Sequence, residues 1–195
     1  MLMVDKVYVA HYTPLQKRKE KLLKTLQEFN INATWIECEP TEEQLKQIYD
    51  NNYDLWNKKI FNLDYGGPIP WKELSKSEKS IAYKHIKIWK DIEDSNISSA
   101  LVLEDDLIFD NRFVELFNFN LISTPRDWDL VFIGNGCNLR IPRKSRTDGI
   151  IAYAKKHPAS KCMDSYLIKR DAAVIINKNI NSFTLPIDFE LNYHM

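Results

Sequence analysis

The stretch ALVLEDDLIF, residues 100–109, runs four apolar residues directly into Glu104, Asp105 and Asp106 before turning apolar again. A short apolar run bounded by polar residues reads as a strand. Side chains alternate along an extended segment, so Glu104 and Asp106 point one way and Asp105 the other. Two carboxylates one pleat apart on the same side repel each other unless a proton or a cation lies between them. The chemistry within reach is therefore a shared proton or an oxygen-ligand cation site. An acidic turn in water accounts for the same residues, and the surrounding elements have to decide between the two.

Those elements alternate along the chain. KVYVAHY, residues 6–12, is β-rich and predicts a first strand. A helix follows from Thr13, with Pro14 in its first turn, Gln16 completing a capping box, and Leu15, Leu22, Leu26 and Phe29 on one face. Residues 33–39 read as a second strand and residues 41–52 as a short helix. The segment from Tyr53 to Trp71 contains Gly-Gly, two prolines and several aromatics, and is expected to be a long functional loop. Helix signals return at Ser75, where Ser75 and Glu78 form a capping box, and run to Asp94. The apolar stripe of that helix is Ile81, Ile88, Trp89 and Ile92, with His85 inside it.

The acidic strand comes next, then a helix over RFVELFNFNL, a strand over WDLVFIGN, and a basic, turn-rich stretch over residues 138–161. SYLIK and the residues after it predict strand then helix, and LPIDFELNYHM ends the sequence. Alternating strands and helices predict one α/β domain over residues 1–195 with a mostly parallel central sheet.

Composition narrows the function classes. Hydrophobic residues make up 44% and charged residues 28% of 195, an ordinary folded globule. Lys plus Arg and Asp plus Glu both total 27, so the strongly basic face of a nucleic-acid binder is not indicated. The three cysteines, Cys38, Cys137 and Cys162, are widely spaced and form no CxxC pair, which suggests neither a zinc site nor a disulfide framework. MLMVDKVYVAHY has an acid in its fifth position and too short an apolar run for a signal peptide or membrane span. A cytoplasmic protein is expected.

Several blocks together resemble glycosyltransferase family 25, which includes bacterial lipopolysaccharide-biosynthesis transferases, procollagen galactosyltransferases and relatives in large DNA viruses. AHYTPLQKR sets His11 and Arg18 at the family's opening Asn and Arg positions; SEKSIAYKHIKIW supplies Glu78, His85 and Trp89; LEDD follows at residues 103–106. WDLVFIGN matches a Trp-Asp strand ending in Gly, SYLIKRDAA a strand leading into an Ala-containing helix, and PID at residues 186–188 a late Pro-x-Asp. The sequence departs from the pattern where His11 replaces Asn, Ser77 replaces Gly and Lys84 replaces Ser. It also stops soon after Asp188, so a compact or truncated member is expected.

The resemblance implies a GT-A, Rossmann-like fold that binds a UDP-sugar and moves a hexose, galactose or glucose, with inversion to a hydroxyl of a glycan or hydroxylysine-type acceptor. It implies Mn²⁺ or Mg²⁺ held by Asp106 and Glu104, with His194 as a further ligand. Asp105 would take a ribose or sugar hydroxyl, and His11, Tyr12, Arg18 and His85 would contact the donor. Asp188 would be the general base, with Glu190 second. Arg140, Arg143, Lys144 and Arg146 would either close over the diphosphate or form a solvated loop. Two rivals remain: a phosphoryl-transfer receiver domain, disfavoured because its acidic pair follows the first strand, and a non-catalytic nucleotide-sugar or glycan-binding module on the same fold.

Overall fold

The structure is a computed structural model and describes residues 1–63, 69–134 and 162–194. The chain orders as β1 (Lys6–Ala10), α1 (Gln16–Glu28), β2 (Thr34–Ile36), α2 (Glu42–Ile48), α3 (Tyr53–Leu63), α4 (Lys76–Asp94) and β3 (Ser99–Glu104). It continues through α5 (Phe113–Ser123), β4 (Leu130–Phe132), β5 (Ser165–Lys169), α6 (Arg170–Asn179) and α7 (Ile187–His194).

The five strands form one sheet in the order β2-β1-β3-β5-β4. β2, β1 and β3 are parallel, whereas β5 runs antiparallel to both β3 and β4. The expectation of a mostly parallel sheet therefore holds for the β2-β1-β3 half, and the sheet as a whole is mixed. Sequence alternation sorts its two faces. Tyr8, Ala10, Val102, Tyr166 and Ile168 share a core with Trp89 and Ile92 of α4 and Ala173 of α6. Val7, Val9, Leu101, Leu103 and Leu167 share the other core with Leu22 and Leu26 of α1 and Phe117 of α5. Helices thus cover both faces, as the period-two pattern of a doubly buried sheet requires.

Two local expectations are corrected. Tyr53 to Trp71 is not one loop, because Tyr53–Leu63 forms α3, whose buried residues Trp56, Lys59, Ile60 and Leu63 follow helical spacing. The Gly-Gly and the two prolines that suggested a loop all follow the helix, and positions 64–68 lie outside the described residues. The first helix starts at Gln16 with no side-chain cap, in place of the capping box expected at Thr13. The Thr13 hydroxyl instead donates to the carbonyl of Glu37, which ties the end of β1 to the segment after β2. The box at Ser75 and Glu78 forms as expected. Among the described residues no helix is long and apolar enough to cross a membrane.

Candidate active site

Strand direction gathers the chemistry at one end of the sheet. β1 and β3 end there, while β5, running the other way, begins there. Leu103 pairs with Ser165, and one step on the Glu104 N–H donates to the Asp164 carbonyl at 2.8 Å. β4 ends beside it, with Phe132 paired to Tyr166. Glu104, Asp106, Asp164 and Asp188 consequently line one cleft of about 600 Å³, walled by Trp56, Ile60, Met163 and Phe189.

The alternation read from the sequence separates the acidic residues. Asp105, only 6% exposed, turns away from the cleft. It accepts from His11 Nδ1 at 2.6 Å, from the Tyr12 N–H at 3.1 Å and from Arg18 at 3.2 Å, joining the ends of β1 and β3. Arg18 also donates to Asp106 at 3.0 Å, and both side chains are about half exposed. His11 is fully buried, its ring edge against Trp35 at 6.0 Å, and its Nε2 has no partner among the described residues. His85 lies behind Glu104, fully buried, between Tyr166 and the Glu104 carboxylate.

Electrostatics single out the cleft. Burial and the neighbouring Glu104 charge push the Asp106 carboxyl up, and Arg18 only partly offsets them. Burial raises Asp164, the Ser165 N–H opposes this, and the charges of Glu104 and Asp106 add to the rise. Burial likewise raises Asp188, against N–H donors from Cys162 at 2.9 Å and Phe189 at 3.0 Å. Carboxyls that raise one another in a cleft mark an anionic concentration that a cation would relieve. Hard oxygen donors with open positions fit Mg²⁺ or Mn²⁺. Among the described residues, however, no three His, Cys, Asp or Glu side chains stand close enough together to form a finished metal site.

The sequence-predicted residues therefore separate into groups. Glu104, Asp106 and Asp188 line the cleft, Arg18 reaches its rim through Asp106, and Asp105, His11, Tyr12 and His85 stand in the layer beneath. Glu190 and His194 are placed apart from that lining. Glu190 is fully buried and bonds Lys59, His194, and the N–H groups of Thr184 and Leu185. These contacts make it a clasp between α3 and α7, with His194 as its partner.

Asp164 was missed. Its residue type before a β-rich run was visible, but its value depends on the antiparallel register of β5, which a single sequence does not display. Gly134 has its reason here too: a Cβ on it would sit 1.9 Å from Asp164 Oδ1. Lys84, a departure from the family pattern, is fully buried and donates to Glu39 at 2.7 Å and to Ser80. Arg140, Arg143, Lys144 and Arg146 lie outside the described residues.

The cleft lies beyond the carboxyl ends of parallel strands, where open α/β sheets place their ligands, and the chain is of that α/β class. Residues 4–191 match glycosyltransferase family 25 (LPS biosynthesis protein), and the chain belongs to that family. It is 28% identical over 133 residues to procollagen galactosyltransferase 1-B of Xenopus laevis, covering 67% of this chain and 21% of that protein. Procollagen galactosyltransferase 1 of Danio rerio is 29% identical over 133 residues, with the same coverage of 67% and 21%. A probable inactive glycosyltransferase 25 family member 3 of Rattus norvegicus is 23% identical over 134 residues, 67% of this chain and 22% of that protein. The chain thus spans about a fifth of the length of the curated relatives it matches.

Proposed function

We propose that this domain transfers a hexose, galactose or glucose, from a UDP-sugar to a hydroxyl of a glycan or hydroxylysine-type acceptor, with inversion at the sugar carbon. The observation that carries the reading is the convergence of Glu104, Asp106, Asp164 and Asp188 on one cleft at the strand ends. Family membership and the galactosyltransferase names of its relatives supply the reaction class.

In this reading Asp106 and Glu104 hold Mn²⁺ or Mg²⁺, with Asp164 adjoining. An ion held there would supply Lewis acidity towards a diphosphate leaving group. Arg18 already donates to Asp106; it can turn from that carboxylate to a phosphate oxygen as the site fills. Asp105 acts through Arg18 and the Tyr12 backbone, fixing the end of β1 where the nucleoside would lie. Asp188 takes the acceptor hydroxyl proton as the acceptor oxygen bonds to the sugar carbon and the carbon–oxygen bond to UDP breaks. Its raised pKa suits a base that must hold that proton, and both its oxygens are anchored by backbone N–H groups.

The test is a screen of UDP-sugars for Mn²⁺-dependent UDP release, run beside Asp106→Ala and Asp188→Asn. We expect release with wild type, abolished by chelator and by Asp106→Ala, and acceptor-dependent transfer lost in Asp188→Asn. Binding of UDP-sugar without release by wild type would favour a non-catalytic module. Unchanged turnover in Asp106→Ala would remove the proposed mechanism.

A further inference from the structure

Behind the cleft runs a buried chain of hydrogen bonds whose direction can be worked out from donor and acceptor inventory. Trp89 Nε1, a donor only, gives its hydrogen to the Tyr166 hydroxyl at 2.8 Å. The same hydroxyl lies 2.9 Å from His85 Nδ1, and His85 Nε2 lies 3.3 Å from Glu104 Oε1. Trp89, Tyr166 and His85 are all fully buried. Were Nδ1 protonated, Tyr166 would accept from both Trp89 and His85, and its own hydrogen would find no acceptor among the described residues. In the neutral ring that arrangement would also turn the bare Nε2 lone pair on a carboxylate. Both are costly in a dry interior. The arrangement without an orphan runs one way: Trp89 to Tyr166, Tyr166 to Nδ1, and Nε2–H to Glu104.

We infer that His85 is a positioning residue, fixed by Tyr166 as its Nε2–H tautomer and donating that hydrogen to Glu104 Oε1. Glu104 is thereby held by one oxygen, and its other oxygen is left for the cleft that it lines. His85 is fully buried beneath Glu104, and it acts on the cleft through that carboxylate. Its ring is fixed as well, with centroids 5.7 Å from Tyr166 and 6.0 Å from Trp89. The arrangement is the outer layer that a carboxylate ligand needs if it is to keep one orientation. Its functional consequence rests on the proposed role of Glu104, whereas the hydrogen-bond assignment does not.

The test has two arms on the full chain. Histidine ¹⁵N NMR of wild type should show His85 with Nδ1 bare and Nε2 protonated. The Nε2 proton resonance should move upfield in Glu104→Gln, where the acceptor loses its charge, and Tyr166→Phe should release the ring into a tautomer mixture. In the second arm, donor turnover should fall between about 10- and 100-fold in His85→Leu. His85→Gln, which keeps an N–H donor, should stay within about threefold of wild type by the same measure. A merely structural histidine would move thermal stability in both variants without separating their turnover. Protonated Nδ1 in wild type, an Nε2 proton indifferent to Glu104→Gln, or a folded His85→Leu with full turnover would each overturn the inference. If wild type turns over no UDP-sugar, the proposed function fails while the NMR arm still decides the assignment of His85.

Discussion

Replacing Glu190 by Gln tests whether this carboxylate holds the fold or performs chemistry. It is fully buried, and its partner Lys59 on α3 is nearly so. One oxygen accepts from Lys59 and from His194 at 3.2 Å; the other accepts the N–H groups of Thr184 and Leu185, each at 3.0 Å. Glutamine has almost the same shape, so no cavity opens. Its carbonyl oxygen can keep the two backbone donors, but its amide then presents hydrogens to the Lys59 ammonium, which among the described residues keeps the Thr184 hydroxyl at 3.5 Å and the face of the Tyr193 ring at 5.5 Å. Breaking a buried pair from one side costs about 3–5 kcal/mol. For a chain of this size about 2–4 °C of Tm accompanies each kcal/mol, so a fall of roughly 6–20 °C is expected.

The pH dependence supplies a second signature of the same clasp. Burial opposes ionisation of Glu190, but His194, Lys59 and the backbone donors outweigh it and hold the carboxyl below its ordinary value. A depressed carboxyl contributes stability above its unfolded pKa and loses it as pH falls towards the folded one. Glu190→Gln should therefore flatten the acid limb of stability. Urea unfolding from pH 3 to pH 7 (a range of about four units around the ordinary carboxyl value) measures both effects. Adding Lys59→Met to Glu190→Gln should recover much of the loss, because the stranded ammonium goes with it. A single variant within about 1 kcal/mol of wild type, with an unchanged acid limb, would refute this reasoning.

Three further outcomes are expected. Burial opposes ionisation of Glu39, yet Lys84, Ser80 and Thr13 hold it at about 2 against an ordinary 4.5. After discounting for its partly exposed face, Glu39→Gln should cost about 1 kcal/mol at pH 7, a difference that fades as pH falls from 4.5 towards 2, read by denaturant titration. Gly134→Ala should displace the Asp164 carboxylate, since its methyl would lie 1.9 Å from Oδ1. Turnover should drop about tenfold or more, while the side chain's freedom to swing keeps the stability cost to about 1 kcal/mol. Asp164→Asn should raise Tm by about 2–4 °C at pH 7 without added metal, because a raised carboxyl penalises the fold once ionised. That gain should vanish on acidification, and differential scanning fluorimetry across pH checks it.

Local patterns reveal as much of this molecule as depends on neighbours in sequence. Alternation in ALVLEDD placed Glu104 and Asp106 together and Asp105 apart, and the helix from Ser75 carried its cap and stripe in plain view. Long-range register stayed hidden. The reversal of β5 is a property of pairing, not of the composition of SYLIK, and it is what brings Asp164 beside Glu104. Burial of the charged pair Lys59 and Glu190 was hidden for the same reason. The Gly-Gly, prolines and aromatics of residues 53–71 suggested one loop, yet Tyr53–Leu63 is helical and buries Lys59 against Glu190, 131 residues away. Glu190, the second candidate base after Asp188, stands two positions further along α7 with its side chain in the interior. The family resemblance supplied what periodicity could not, a reaction class for the acidic strand end.

The most direct test of that class is a titration of Mn²⁺ followed by its electron paramagnetic resonance signal, with and without UDP, in wild type and in Asp106→Asn. Loss of the free-ion signal on wild type, strengthened by UDP and at least about tenfold weaker in the variant, is the result expected of a cleft that seats a cation and a diphosphate together. Binding that is equal in both proteins, or absent from both in the presence of UDP, would contradict it.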